Sequence, residues 1–105
     1  MRKLLLAAIA SAILPLWAET VWVDVRTPQE YSEGHIAGAA NMPHHEIVEL
    51  VKKAGYAKDD RILLYCRSGN RSAKAKAALV EAGYTNVQDL GGFADLEKTG
   101  AVKTE

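Results

Sequence analysis

The sequence predicts an α/β domain with a central parallel sheet flanked by helices. Three observations carry this. Short β-branched or apolar runs alternate with stretches whose apolar residues recur at helical spacing. Glycines stand where the helical stretches stop. One run, Ile62-Leu63-Leu64-Tyr65, has no polar face, as expected of a strand covered on both sides.

Taken in order, Thr20–Val25 (TVWVDV) has the β-branched and aromatic content of a strand. Thr27-Pro28-Gln29-Glu30-Tyr31 reads as a short helix, with Thr27 as N-cap, Pro28 at N1 and Glu30 closing a capping box. Gly34 ends it, residues 35–38 form a loop, and Ala39–Met42 is a short buried strand. From His44 to Ala54 the residues Ile47, Leu50, Val51 and Ala54 share one helical face, and Gly55 is the C-cap. Arg61–Tyr65 is the central strand, Cys66–Arg71 a loop, and Ser72–Ala82 a helix stopped by Gly83. Asn86–Leu90 is a last strand, which the Gly91-Gly92 turn joins to a short helix near Phe93–Lys98.

At 105 residues, 49% hydrophobic and 25% charged, the chain has the length of one domain and the composition of a folded one. Its formal net charge of zero offers no field for nucleic-acid phosphates. A single cysteine excludes an internal disulfide and a Cys-rich zinc site.

The N-terminus reads as a secretory signal peptide. Arg2-Lys3 precede an apolar run from Leu4 to Leu16, and Ala18 is followed by Glu19-Thr20. The run is shorter than the roughly 20 residues of a membrane span, so no stable membrane anchor is expected. Cleavage is expected after Ala18, giving a signal peptide at 1–18 and a domain at 19–105. No cysteine stands near the cut to carry a lipid, so export to a periplasm is expected. Removal of 1–18 takes away two basic residues and no acidic ones, leaving a slightly acidic domain with one thiol in an oxidising compartment. A monomer is the default expectation.

That thiol lies in the most informative segment, Leu63-Leu64-Tyr65-Cys66-Arg67-Ser68-Gly69-Asn70-Arg71-Ser72-Ala73. The pattern puts Cys66 at the carboxyl end of a strand, where open α/β sheets place their ligands. The amides of the tight loop can converge on the sulfur, and the following helix adds its positive end. Arg67 and Arg71 add two charges. All of these favour thiolate over thiol, so a lowered Cys66 pKa is expected. Gly69 supplies a conformation or a close approach open only to glycine. Ser68, Asn70 and Ser72 are expected to bind substrate with Arg67, Gly69 and Arg71; the alternative is ordinary turn roles for Ser68 and Asn70 and a helix N-cap for Ser72.

Asp24–Pro43 (DVRTPQEYSEGHIAGAANMP), Tyr65–Leu79 (YCRSGNRSAKAKAAL) and Leu90–Phe93 (LGGF) together resemble a rhodanese domain. The resemblance covers nearly all of residues 19–105. It implies the rhodanese-like fold and sulfurtransferase chemistry at Cys66, with Arg67, Ser68, Gly69, Asn70 and Arg71 completing the active-site loop. Many rhodaneses have a further strand and helix ahead of the DVR segment, where the expected processed chain from Glu19 offers almost nothing. It also offers only Phe93 and Leu96 where many carry a Trp after the Gly-Gly pair.

The implied chemistry is two-step covalent transfer. Cys66 takes a sulfur from a small anionic donor such as thiosulfate, held by Arg67, Arg71 and the loop amides, and passes it to cyanide or a thiol. It calls for no metal and no organic cofactor. Two rival readings are a sulfur-carrier or protein-binding module and a phosphatase or arsenate reductase. The loop argues against the latter, since phosphatases place an Arg six positions after the cysteine and Ser72 stands there. His44-His45-Glu46 tempts as a metal cluster, but neighbouring helix residues do not face one another. His35 reads as a hydrogen-bonding structural residue, and Trp22 and Tyr65 as core or pocket wall. Asp24 and Arg26 lie close enough to reach the site, with a framework pairing of Arg26 and Glu30 as the expected role.

Overall fold

The computed structural model describes residues 19–100 and 103–105. The proposed signal peptide at 1–18 lies outside the described residues. Among the described residues there are four strands, β1 (Thr20–Asp24), β2 (Ala40–Asn41), β3 (Arg61–Cys66) and β4 (Val87–Gly92). They form one parallel sheet in the order β2-β1-β3-β4. Four α-helices among the described residues connect and close them: α1 (Pro28–Glu33), α2 (Ile47–Ala54), α3 (Asn70–Glu81) and α4 (Phe93–Thr99). Among the described residues no helix is long and apolar enough to cross a membrane.

The central strand is covered on both faces, as its unbroken apolar run predicts. Side chains of a strand alternate between faces. Ile62, Leu64 and Cys66 join one buried cluster with Ile47 and Val51 of α2 and Ala75 and Leu79 of α3. Tyr65 joins a second cluster with Ile36 and Ala39, against which Trp22, Leu90, Phe93 and Leu96 pack. Two layers of helix therefore meet at β3, and its carboxyl end carries the cysteine.

The expected capping box is present. Glu30 N–H donates to Thr27 Oγ1 at 3.2 Å, and Thr27 N–H donates to Glu30 Oε1 at 3.0 Å. Gly55 caps α2 in the left-handed conformation, φ +82°.

Four boundaries differ from the sequence reading. The predicted strand over 39–42 is only Ala40–Asn41. Residues 44–46 form a 3-10 turn ahead of α2 instead of its first turn. Helix α3 starts at Asn70, because Gly69 at φ +96° caps the helix three residues earlier than a Ser72 cap would. The Gly-Gly pair belongs to β4, where Leu64 pairs with Asp89 but Cys66 with Gly92. β4 thus holds an extra residue there, a bulge that Gly91 accommodates at φ +88°. A further pairing had no signal in the sequence: residues 103–105 run antiparallel to residues 35–37. His35 N–H donates to Glu105 O at 2.9 Å and Ala37 N–H to Lys103 O at 2.8 Å.

Candidate active site

Strand β3 delivers Cys66 to the sheet's carboxyl edge, and Arg67, Ser68 and Gly69 carry the chain over it into α3. The loop closes on its own sulfur: Gly69 N–H donates to Cys66 Sγ at 2.8 Å. The loop also lies directly on β4. A Cβ at Gly92 would sit 2.7 Å from the Arg67 carbonyl oxygen, and one at Gly69 would sit 3.6 Å from Gly91 Cα. Glycine at position 92 is thus what lets the loop approach so closely.

Cys66 has no exposed surface. Burial is the largest influence on its thiol and pushes the pKa up. Hydrogen bonds from the Ser72 hydroxyl and from the Ser72, Ser68 and Gly69 amides outweigh it, so the pKa lies below the ordinary thiol value. The sulfur is thus sealed from water yet ringed by donors.

Ser72 is the third residue of α3, not its cap. Its buried hydroxyl lies 3.4 Å from Sγ, 2.6 Å from Asp89 Oδ1 and 3.1 Å from Gly69 O. Beside the loop opens a cavity of about 320 Å³, lined by Arg26, Glu30, Gly34, Arg67 and Phe93 among others.

Residues 10–99 match the rhodanese-like domain family. The chain belongs to that family. It is 40% identical to the thiosulfate sulfurtransferase PspE of Escherichia coli, over 90% of this chain and 91% of that one. It is 42% identical to the thiosulfate sulfurtransferase GlpE of Pseudomonas entomophila, over 76% of this chain and 73% of that one. Among solved structures, a rhodanese with anions from E. coli superposes with a TM-score of 0.74 at 37% identity. It covers 82% of this chain and 96% of that one. The rhodanese-like domain of the Anabaena Alr3790 protein superposes at 0.76 and 31% identity, covering 86% and 90%.

Within this rhodanese fold the two loop arginines are not equivalent. Arg71 is held by Glu30 through two hydrogen bonds, Nη1 to Oε1 at 2.8 Å and Nη2 to Oε2 at 3.0 Å. Arg67 is exposed and, among the described residues, makes no ion pair. Ser68 and Asn70 are exposed too.

The expected Arg26–Glu30 pair is not formed. Arg26 lies two residues after Asp24 at the end of β1, so both side chains fall on one face. Its guanidinium binds both Asp24 carboxylate oxygens, Nη2 to Oδ2 at 2.6 Å and Nε to Oδ1 at 2.9 Å. It also donates to Gly34 O at 2.6 Å and lies 4.5 Å from the Phe93 ring centroid. Phe93 stacks in turn near Tyr65, at 5.8 Å between centroids, and forms the pocket wall. The capping box leaves Glu30 facing α3, where Arg71 takes it. His35 donates or accepts through both ring nitrogens, to Tyr31 O at 2.9 Å and Glu105 Oε1 at 3.0 Å. His45 lies 3.3 Å from Glu46 in the 3-10 turn. The site residue with no sequence signal was Asp89, which reaches Ser72 only because β4 lies beside β3.

The Glu30–Arg71 pair makes a pH prediction. The Arg71 hydrogen bonds are the largest influence on Glu30 and lower its pKa from 4.5 to about 2; burial opposes them, and the Thr27 cap assists. A carboxyl whose folded pKa is lowered stabilises the fold above its unfolded pKa. That contribution fades as pH falls through the interval toward the folded value. Urea unfolding of Glu30→Gln should therefore show a shallower loss of stability between pH 4.5 and about 2 than the wild type. Parallel curves for the two proteins would show that the pair contributes nothing.

Proposed function

We propose that this chain is a thiosulfate sulfurtransferase that carries the transferred sulfur on Cys66. The observation behind this reading is the sulfur's setting: Sγ accepts the Gly69 N–H at 2.8 Å inside a ring of amides, with a lowered pKa. Relatives named thiosulfate sulfurtransferase support it, one of them over 90% of the chain. In the first step the Cys66 thiolate attacks the outer sulfur of thiosulfate. The S–S bond of the donor breaks, sulfite leaves with its electron pair, and an anionic Cys66 persulfide remains. In the second step cyanide or a thiolate attacks the outer persulfide sulfur. Thiocyanate or a new persulfide departs, and the Cys66 thiolate returns.

Arg67, with no ion pair among the described residues, is the cation available to the incoming dianion. Arg71 is set back in the Glu30 pair and acts on the sulfur by its charge. The loop amides steady charge on the sulfur in both states. Ser68, Gly69, Asn70 and Ser72 complete the substrate-binding loop. An ionised Cys66 makes a general base unnecessary. Ser72 stands where a phosphatase loop carries its arginine, and Arg71, one residue sooner, is committed to Glu30, which together disfavour phosphatase or arsenate-reductase chemistry. The N-terminal pattern supports export to a periplasm without a membrane anchor, and a monomer is the default state.

Incubation of the processed protein with thiosulfate, followed by intact mass, tests the mechanism. A single added sulfur on the wild type, absent from Cys66→Ser, is the expected result. No adduct on the wild type, or one that persists in the variant, sinks it. The same spectrum reads out whether the chain begins at Glu19.

A further inference from the structure

The Ser72 hydroxyl has one proton and three acceptors around it. They are Asp89 Oδ1 at 2.6 Å, Gly69 O at 3.1 Å and Cys66 Sγ at 3.4 Å. One proton cannot serve all three. A hydroxyl-to-carboxylate bond of 2.6 Å falls in the short, charge-assisted class. While Cys66 is a neutral thiol, the hydroxyl therefore points to Asp89, and Oγ offers a lone pair to the S–H. Once Cys66 is a thiolate, the sulfur needs that same proton. Asp89 Oδ1 retains a second donor, Gly91 N–H at 3.0 Å, when the hydroxyl turns away.

We propose that Asp89 is a positioning residue for sulfur transfer: through the Ser72 hydroxyl it competes with Cys66 Sγ for one proton and so sets the basicity of the sulfur. The proposal deepens the sulfurtransferase reading and rests on it. The charges around Cys66 oppose one another. Arg71, from the first turn of α3, favours the thiolate and is partly offset by Glu30 from α1. Arg67 flanks the sulfur in the loop. Asp24 and Arg26, at the end of β1, neutralise each other. Asp89, from β4, acts against the thiolate.

The consequence reaches both half-reactions. When Cys66 attacks the donor, negative charge moves from Sγ to the outer sulfur, and the hydroxyl can return to Asp89. When the acceptor removes the outer sulfur, the electron pair of the S–S bond goes back to Sγ, and the hydroxyl swings to it. A less basic sulfur attacks more slowly and leaves faster. Asp89, by keeping Sγ more basic, favours loading over discharge.

Asp89→Asn tests this, because the amide oxygen still accepts from Gly91 N–H while the charge is gone. The Cys66 ionisation midpoint is followed by ultraviolet thiolate absorbance, differenced against Cys66→Ser. It should fall by about half to one pH unit. In a Ser72→Ala background the same substitution should move it less than half as far. Above the midpoint, single-turnover loading by thiosulfate should slow and discharge to cyanide should quicken, each by roughly two- to threefold. An unchanged midpoint in a folded variant, or an equal shift in both backgrounds, overturns the proposal. Asp89→Ser serves as a second variant, and failure of both to fold makes Asp89 a structural residue and also overturns it. The ionisation readout needs no sulfur donor. Loss of the function reading would therefore show as a missing persulfide beside an intact midpoint shift.

Discussion

Cys66→Ser should lower thiocyanate formation from thiosulfate and cyanide by at least about a thousandfold, in line with removal of a covalent nucleophile. Serine fits the space and still accepts the Gly69 N–H, so the thermal midpoint should move little. What is lost is chemistry: an alcohol in this setting stays protonated, and its oxygen forms no counterpart of a persulfide. Turnover and thermal unfolding measured on the same preparation separate the two effects. Activity within tenfold of the wild type would place the transferring group elsewhere.

Arg26→Met should cost about 3–5 kcal/mol of folding stability, the usual result of leaving a buried charge without its partner. Asp24 has no exposed surface, and Arg26 is its only ion-pair partner among the described residues. The same guanidinium ties down Gly34 O and lies over Phe93, so the pocket wall loosens with it. The double variant Asp24→Asn/Arg26→Met should recover much of the loss, since no charge is then stranded. Urea unfolding of the four proteins in this cycle measures the coupling. A loss under about 1 kcal/mol for Arg26→Met would assign the pair to ordinary surface electrostatics.

What was legible in the sequence was what neighbours decide. The capping box spans only Thr27 to Glu30, and its residues carry the signal themselves. Central strand β3 shows as an unbroken apolar run, and α2 as one apolar face closed by Gly55. Cys66 between that strand and a glycine-bearing basic loop marked the site. What escaped was decided across the fold. Glu30 and Arg71 are 41 positions apart, and Ser72 and Asp89 are 17 apart. Gly91-Gly92 reads locally as a turn, and becomes strand only because Cys66 pairs with Gly92. Arg26 carries no mark that would choose Asp24 over Glu30; the pleat of β1 chooses.

A sulfur with no free surface has a further property, which concerns time. Bulky oxidants and disulfides meet the loop before they meet Sγ, so the sulfur is shielded from the very reagents that a lowered pKa would otherwise favour. The same shield binds the enzyme's own reaction. On the proposed mechanism the added sulfur needs room within this loop, and the close contact of Arg67 with Gly92 limits how far the loop can shift toward β4. On that mechanism, longevity of the reactive form and speed of exchange would both depend on how readily residues 67–69 give way.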